Sequence, residues 1–262
     1  MTILDAIEAE GCARGESLGE AVRHHLLLGV VERVARSAHR EAFVLRGGLL
    51  TREWVGKRPT KDLDYLGDFA FDRADTEQRI RDALLPLPDG VVFGALHSKE
   101  MWVESGFPGV KLTLQLGFER ADQEITIDVG FRDPLVPPAV ERTIARPSGS
   151  FPARVVRPET QVAWKLHGLC EMGSNYRPKD LADLLAITDA VALDRETPGA
   201  IEIAFTSRGY ARSRSREVFV APHWPTKTAR IRWEPYAKRY GSLADVIETL
   251  RVRFAPFTEE LT

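Results

Sequence analysis

Apolar and polar residues alternate strictly over residues 111–118, where Leu112, Leu114, Leu116 and Phe118 are apolar, and again over 124–131, with Ile125, Ile127, Val129 and Phe131. A period of two sends alternate side chains to opposite faces of a strand, so each stretch predicts a half-buried strand. The polar link Glu119-Arg120-Ala121-Asp122 joins them as an antiparallel hairpin. Phe43-Val44-Leu45-Arg46 predicts a short buried strand, broken by Gly47-Gly48 and followed by a short helix through Leu49, Leu50 and Trp54. Leu63-Asp64-Tyr65-Leu66 is the next strand.

Helical spacing dominates elsewhere. Ser17-Leu18-Gly19-Glu20 has the form of a capping box, in which serine and glutamate satisfy N–H groups of the first turn. It opens an amphipathic helix running to about Ala38. A helix over 75–85 is stopped by Pro86 and Pro88. After a proline-rich stretch at 134–152 the period changes. Residues 158–172 and 178–191 read as successive helices with proline in the first turn, and 196–206, 227–240 and 242–253 as further ones. The expected class is α+β, with a mixed α/β domain over 1–155 and a mainly helical domain over 156–262.

Composition narrows function by exclusion. A chain of 262 residues, 44% hydrophobic and 28% charged, can bury an ordinary globular core without staples. Cys12 and Cys170 form no CxxC pair, which argues against structural zinc and for a reducing cytosol. The start MTILDAIEAEG lacks the basic and apolar regions of a signal peptide, and the apolar run at 26–31 is too short to span a bilayer. A cytoplasmic protein without a membrane partner is expected. The net charge of −2 gives no general attraction to nucleic acid, so such binding needs a local patch. HExxH, a Walker lysine loop and GxGxxG are missing, and Gly15-Glu16-Ser17-Leu18-Gly19 fits GxSxG only in letters, since its serine is the capping-box residue of a helix with no strand before it; zinc protease, serine hydrolase, P-loop and dehydrogenase readings are disfavoured.

Chemistry concentrates in Arg58-Pro59-Thr60-Lys61-Asp62-Leu63-Asp64, a dozen residues after the glycine pair. On a strand Asp62 and Asp64 point to one face, with Leu63 opposite. Carboxylates that close repel unless a cation lies between them, and hard oxygen ligands suit Mg²⁺. Gly47-Gly48, between strand and helix, lets backbone N–H groups approach an anion. Asp128 shares the polar face of its strand with Glu124 and Thr126, and a third carboxylate is what two-metal phosphoryl chemistry requires.

The glycine pair, Arg58-x-Thr60-x-Asp62-x-Asp64 and Ile127-Asp128-Val129 resemble the nucleotidyltransferases of the abortive-infection E type toxin family. That family lies in the DNA polymerase beta-like nucleotidyltransferase superfamily. Its later motif is matched by Trp164-Lys165-Leu166 and Lys179-Asp180-Leu181-Ala182-Asp183-Leu184. The resemblance implies a polymerase-beta-like core with a mixed sheet. It implies Mg²⁺ on Asp62, Asp64 and Asp128, and an NTP at Gly47, Gly48, Leu49, Arg58, Thr60 and Lys165. Lys165 would bind the nucleotide phosphates and Asp180 would position it. Relatives usually carry Ser or Thr after the glycines, whereas this chain has Leu49 and keeps only the backbone N–H.

The stretch 207–240 is rich in basic residues, among them Arg208, Arg212, Arg214, Lys227, Arg230 and Arg232, with Tyr210, Phe219, Trp224, Trp233, Tyr236 and Tyr240 interleaved. Basic groups neutralise phosphates and aromatic rings stack on unpaired bases, so this is a candidate RNA-binding face, or one for an antitoxin. The leading expectation is a Mg²⁺-dependent nucleotidyltransferase toxin of a toxin–antitoxin or phage-defence system, acting on the 3′ end of tRNA. A protein or small-molecule acceptor, or a degenerate binding module marked by Leu49, are the alternatives.

Overall fold

The computed structural model describes residues 2–119 and 121–258; Arg120 of the expected hairpin link lies outside them. Chain contacts divide the molecule into two units, Met1–Asp133 with Ala139–Val156, and Pro134–Pro138 with Arg157–Thr262.

The first unit begins with α1 (Ile3–Ala13), α2 (Leu18–Arg36), β1 (Phe43–Arg46), α3 (Gly47–Val55), β2 (Asp62–Gly67) and α4 (Arg73–Ala83). Strands β3 (Val91–Met101), β4 (Gly109–Phe118), β5 (Ala121–Phe131), β6 (Val140–Arg146) and β7 (Gly149–Val155) follow. They form one mixed sheet in the order β3-β4-β5-β2-β1-β7-β6. The pairings β2–β5 and β1–β7 are parallel and the others antiparallel. The expected hairpin is β4–β5, and the capping box of α2 is formed, with the Ser17 hydroxyl accepting from the Glu20 N–H.

Three strands were not foreseen. β3 lacks clean alternation because its register slips between Phe93 and Leu96. β6 and the first part of β7 fall in the stretch 134–152 read as a proline-rich boundary; Pro152 occurs inside β7, yet the strand pairs with β6 from Arg146↔Gly149 to Val140↔Val155. The N-terminal helix α1, capped by Thr2, was also missed.

One face of the sheet carries Leu63, Tyr65, Leu112, Leu114, Ile125, Ile127 and Val129, all buried. Within this unit lies a charged cluster. Arg33 Nη1 and Nη2 donate to Asp89 at 2.7 and 2.8 Å, and Arg146 donates to Glu32 at 2.6 Å and to Asp89 at 3.1 Å. All four side chains are buried, and each carboxylate has a guanidinium, the condition under which buried charge is tolerated. His25 touches the same group, with Arg146 Nη2 3.0 Å from its Nε2.

Burial, then the Arg146 charge, lowers the His25 pKa to about 4. The native state therefore keeps His25 neutral where an unfolded histidine, near 6.5, takes a proton. Stability from this group is complete above pH 6.5 and is lost as pH falls toward 4, amounting to roughly 3 kcal/mol. Urea midpoints measured at pH 7 and pH 5 should fall for the wild type, and the fall should be smaller in His25→Gln.

The second unit is helical: α5 (Pro158–Met172), α6 (Pro178–Ala190), α7 (Thr197–Thr206), α8 (Arg214–Glu217), α9 (Lys227–Tyr240) and α10 (Leu243–Thr258). Its core contains Val162, Leu166, Leu181, Leu184, Ile201, Phe205, Leu250 and Phe254. Pro134–Pro138 belongs here because Thr160 on α5 donates its hydroxyl to the Val136 carbonyl at 2.9 Å. No described helix is long and apolar enough to cross a membrane.

Candidate nucleotidyl-transfer site

The site grows from the junction of β1 and α3. Gly47 has φ +72°, a left-handed conformation that an L side chain resists. A Cβ on it would stand 2.1 Å from Asp64 Oδ2, and one on Gly48 would stand 2.2 Å from Arg58 Nη1 and 2.8 Å from Thr60 Oγ1. Glycine is therefore required twice, to turn the chain and to let the β2 carboxylate and the Arg58–Thr60 loop close on the backbone. The Gly48 N–H donates to Asp64 Oδ2 at 3.2 Å. Leu49, next in line, is fully buried, so its side chain serves the core.

Strand β2 presents Asp62 and Asp64, the first exposed and the second half-buried. The parallel partner β5 aligns Asp64 with Asp128 and Asp62 with Thr126. Directly paired residues share a face, so the three carboxylates stand on one side of the sheet, opposite Leu63 and Ile127. Burial pushes the Asp128 carboxyl above the ordinary aspartate range; Lys111 acts against this, while Asp64 and Asp62 add to it. Asp128 thus feels the negative charge of both β2 acids.

Lys111, on β4 opposite Asp128, was missed by the sequence reading. Its Nζ lies 3.0 Å from Asp128 Oδ1 and 3.2 Å from Oδ2. Counting back from the expected link 119–122 would set residue 111 against residue 130; the observed register starts at Phe118↔Ala121 and sets it against Asp128, so this pairing was not readable from the alternation. Arg46 was missed as well: it caps β1, pairs with Asp133 at 2.7 Å, and its guanidinium lies over Gly130.

The donor set is of the kind that suits a hard divalent cation, carboxylate oxygens only, although Asp128 Oδ1 already has the Lys111 ammonium 3.0 Å away. Among the described residues no three His, Cys, Asp or Glu side chains close around a common point, and Asp128 is engaged by Lys111. The residues fit such an ion in kind and in face.

In the second unit Lys165, on α5, donates to Asp180 at 2.8 Å and to Asp183 at 2.7 Å, both on α6. Burial opposes the ammonium, but the two carboxylates more than offset it and hold the Lys165 pKa above the usual lysine range. Arg177 joins Asp180 at 2.9 Å. Charge here is balanced within the unit, and the lysine fastens α5 to α6.

The basic stretch divides. Phe219, Trp224 and Trp233 are buried in the second unit, which corrects the expectation that they stack on bases. Tyr210, Tyr236 and Tyr240 stay half-exposed. Lys227, Arg230 and Arg232 stand exposed on α9, where Arg232 reaches Asn175 at 3.3 Å. Arg212 pairs with Glu202 at 3.4 Å and Arg214 with Glu217 at 3.2 Å, while Arg208 is half-buried.

Comparison with curated proteins returns no match. Among solved structures, a candidate nucleotidyltransferase from H. pylori is 12% identical with a TM-score of 0.42, over 91% of this chain and 98% of that one. JHP933 from Helicobacter pylori is 12% identical with a TM-score of 0.43, over 90% and 93%. The family model for the nucleotidyl transferase AbiEii toxin of type IV toxin–antitoxin systems matches residues 30–252, a span that takes in the glycine turn and every carboxylate of the β2–β5 cluster. On that match the chain belongs to the AbiEii nucleotidyl transferase toxin family.

Proposed function

We propose that this protein transfers a nucleotide from an NTP to an acceptor hydroxyl, that Asp62, Asp64 and Asp128 bind Mg²⁺ for the purpose, and that the acceptor is the 3′ end of tRNA. The observation that carries the reading is the register pairing of Asp64 with Asp128 beside the Gly47-Gly48 turn. When bound, the metal offsets charge on the triphosphate and on the departing pyrophosphate.

The chain's own residues account for the rest. Backbone N–H groups at Gly48 and Leu49 stand at the start of α3, where the helix favours an anion, and the Arg58 guanidinium lies over the same turn. The acceptor oxygen attacks the α-phosphorus, the bond to the β-phosphate oxygen breaks, and the hydroxyl proton passes to a carboxylate. Asp128 suits that task because burial raises its affinity for a proton. Within the second unit, the exposed basic side chains of α9 form a positive surface of the kind that binds a nucleic-acid backbone, which supports RNA over a small molecule. A cognate antitoxin fits the family's type IV systems.

Purified protein incubated with Mg²⁺, each labelled NTP in turn and total bacterial tRNA should move label onto tRNA. Label on protein instead would replace the acceptor, and no transfer together with no NTP binding would remove the reading.

A further inference from the structure

The carboxylates lie in the middle of a cross-strand row of charge. Register pairs run Arg46↔Asp64, Asp64↔Asp128, Asp128↔Lys111 and Lys111↔Lys99, so one sheet face reads basic, acidic, acidic, basic, basic from β1 to β3. The two ends differ. Arg46 is matched by Asp133 at 2.7 Å. Lys111 is matched by Asp128, but Lys99 is exposed and has no carboxylate within ion-pair distance among the described residues. Like charges directly opposite across a strand pair destabilise a sheet unless something negative lies near them. The next row continues in hydroxyl and imidazole, with Thr113 and His97 paired beside the lysines. At this end Lys99 carries a positive charge that no described carboxylate offsets.

Its side of the carboxylates decides which anion. The glycine turn and Arg58 lie at β1, α3 and the loop before β2, on the opposite side of the acids from β4 and β3. In nucleotidyl transfer the entering and leaving oxygens are roughly in line through the phosphorus. With the triphosphate's leaving end toward the glycine turn, the acceptor enters from β4 and β3. We propose that Lys99 and Lys111 form a phosphate subsite for the acceptor strand on the β3–β4 hairpin. The proposal rests on the nucleotidyl-transfer reading. A second source of the same chemistry, the donor triphosphate, is separated from it by experiment.

The test measures binding of a short single-stranded RNA with a 3′ hydroxyl, and separately of a non-hydrolysable NTP analogue with Mg²⁺. Wild type, Lys99→Glu and Lys99→Arg are compared over a series of salt concentrations. Lys99→Glu is expected to weaken RNA binding about tenfold and to reduce the salt slope by about 0.7, the loss of one single-strand phosphate contact. Lys99→Arg should retain the affinity, the analogue should bind all three alike, and an unchanged melting curve should show that the exposed site tolerates the change. RNA binding by Lys99→Glu with wild-type affinity and slope overturns the proposal. Loss of analogue binding alone also overturns it, by assigning the lysines to the donor. A wild type that binds neither probe overturns the nucleotidyl-transfer reading, and this proposal with it.

Discussion

Asp64→Ala is expected to reduce nucleotide transfer by about a thousandfold, roughly 4 kcal/mol of transition-state stabilisation, while the protein stays folded. Asp64 combines the three contacts on which the proposed chemistry depends: it accepts from the Gly48 N–H at 3.2 Å, pairs in register with Asp128, and shares a strand face with Asp62. The same crowding predicts an unusual stability result. Removing one of three like charges relieves repulsion, so the thermal midpoint should hold or rise although activity collapses. Single-turnover transfer and a melting curve on one preparation check both halves. Near-wild-type transfer would show that the acids are a solvated sheet face and not a reaction centre.

Asp89→Ala carries the largest expected cost to the fold, about 3–5 kcal/mol. Asp89 accepts two hydrogen bonds from Arg33 and further ones from Arg146, and its Oδ1 also accepts from the Val91 N–H at 3.2 Å. Burial opposes its charge, but Arg33, the Val91 N–H and Arg146 together hold its pKa below the ordinary range. Alanine would leave Arg33 without its carboxylate and Arg146 with Glu32 only, both out of water's reach. In a domain of this size a loss of that order lowers Tm by about 10–15 °C. Asp89→Asn, which keeps one acceptor oxygen, should cost less. A shift of a degree or two would mean that water enters the cluster.

The parts of this molecule legible in its sequence are those where one short-range signal dominates. Strict alternation placed β4 and β5, the Ser17 capping box placed the start of α2, and prolines at 158 and 178 placed α5 and α6. Period alone put Asp62 and Asp64 on one face of their strand and Asp128 on the polar face of its own; the alignment of Asp128 with the β2 acids is observed in the register. What escaped was set by tertiary context. Strand β3 is an edge whose exposed Val92 and slipped register hide its pattern, and β6 and β7 are recruited into the sheet by parallel pairing of β7 with β1. Lys111 and Arg46 looked like ordinary polar ends of strands until pairing set them beside Asp128 and Asp64. Trp224 and Trp233, near arginines in sequence, are core residues because apolar area outweighs local charge in deciding what is buried.

The parallel pairing of β2 with β5 also fixes when the acids can meet. Parallel neighbours cannot be joined by a tight turn, and such long-range contacts form late and slowly. All of α4, β3 and β4 must be made after Asp64 before Asp128 exists, and β7, which flanks β1, comes later still. At about 5–20 residues per second the growing chain carries its glycine turn and first two acids for several seconds without the third. A polypeptide cut short before β5 would hold the donor-side parts and be inert. On the proposed reading, where the target belongs to the apparatus that synthesises proteins, the topology acts as a clock: the toxin cannot act on its surroundings until the ribosome has made β5.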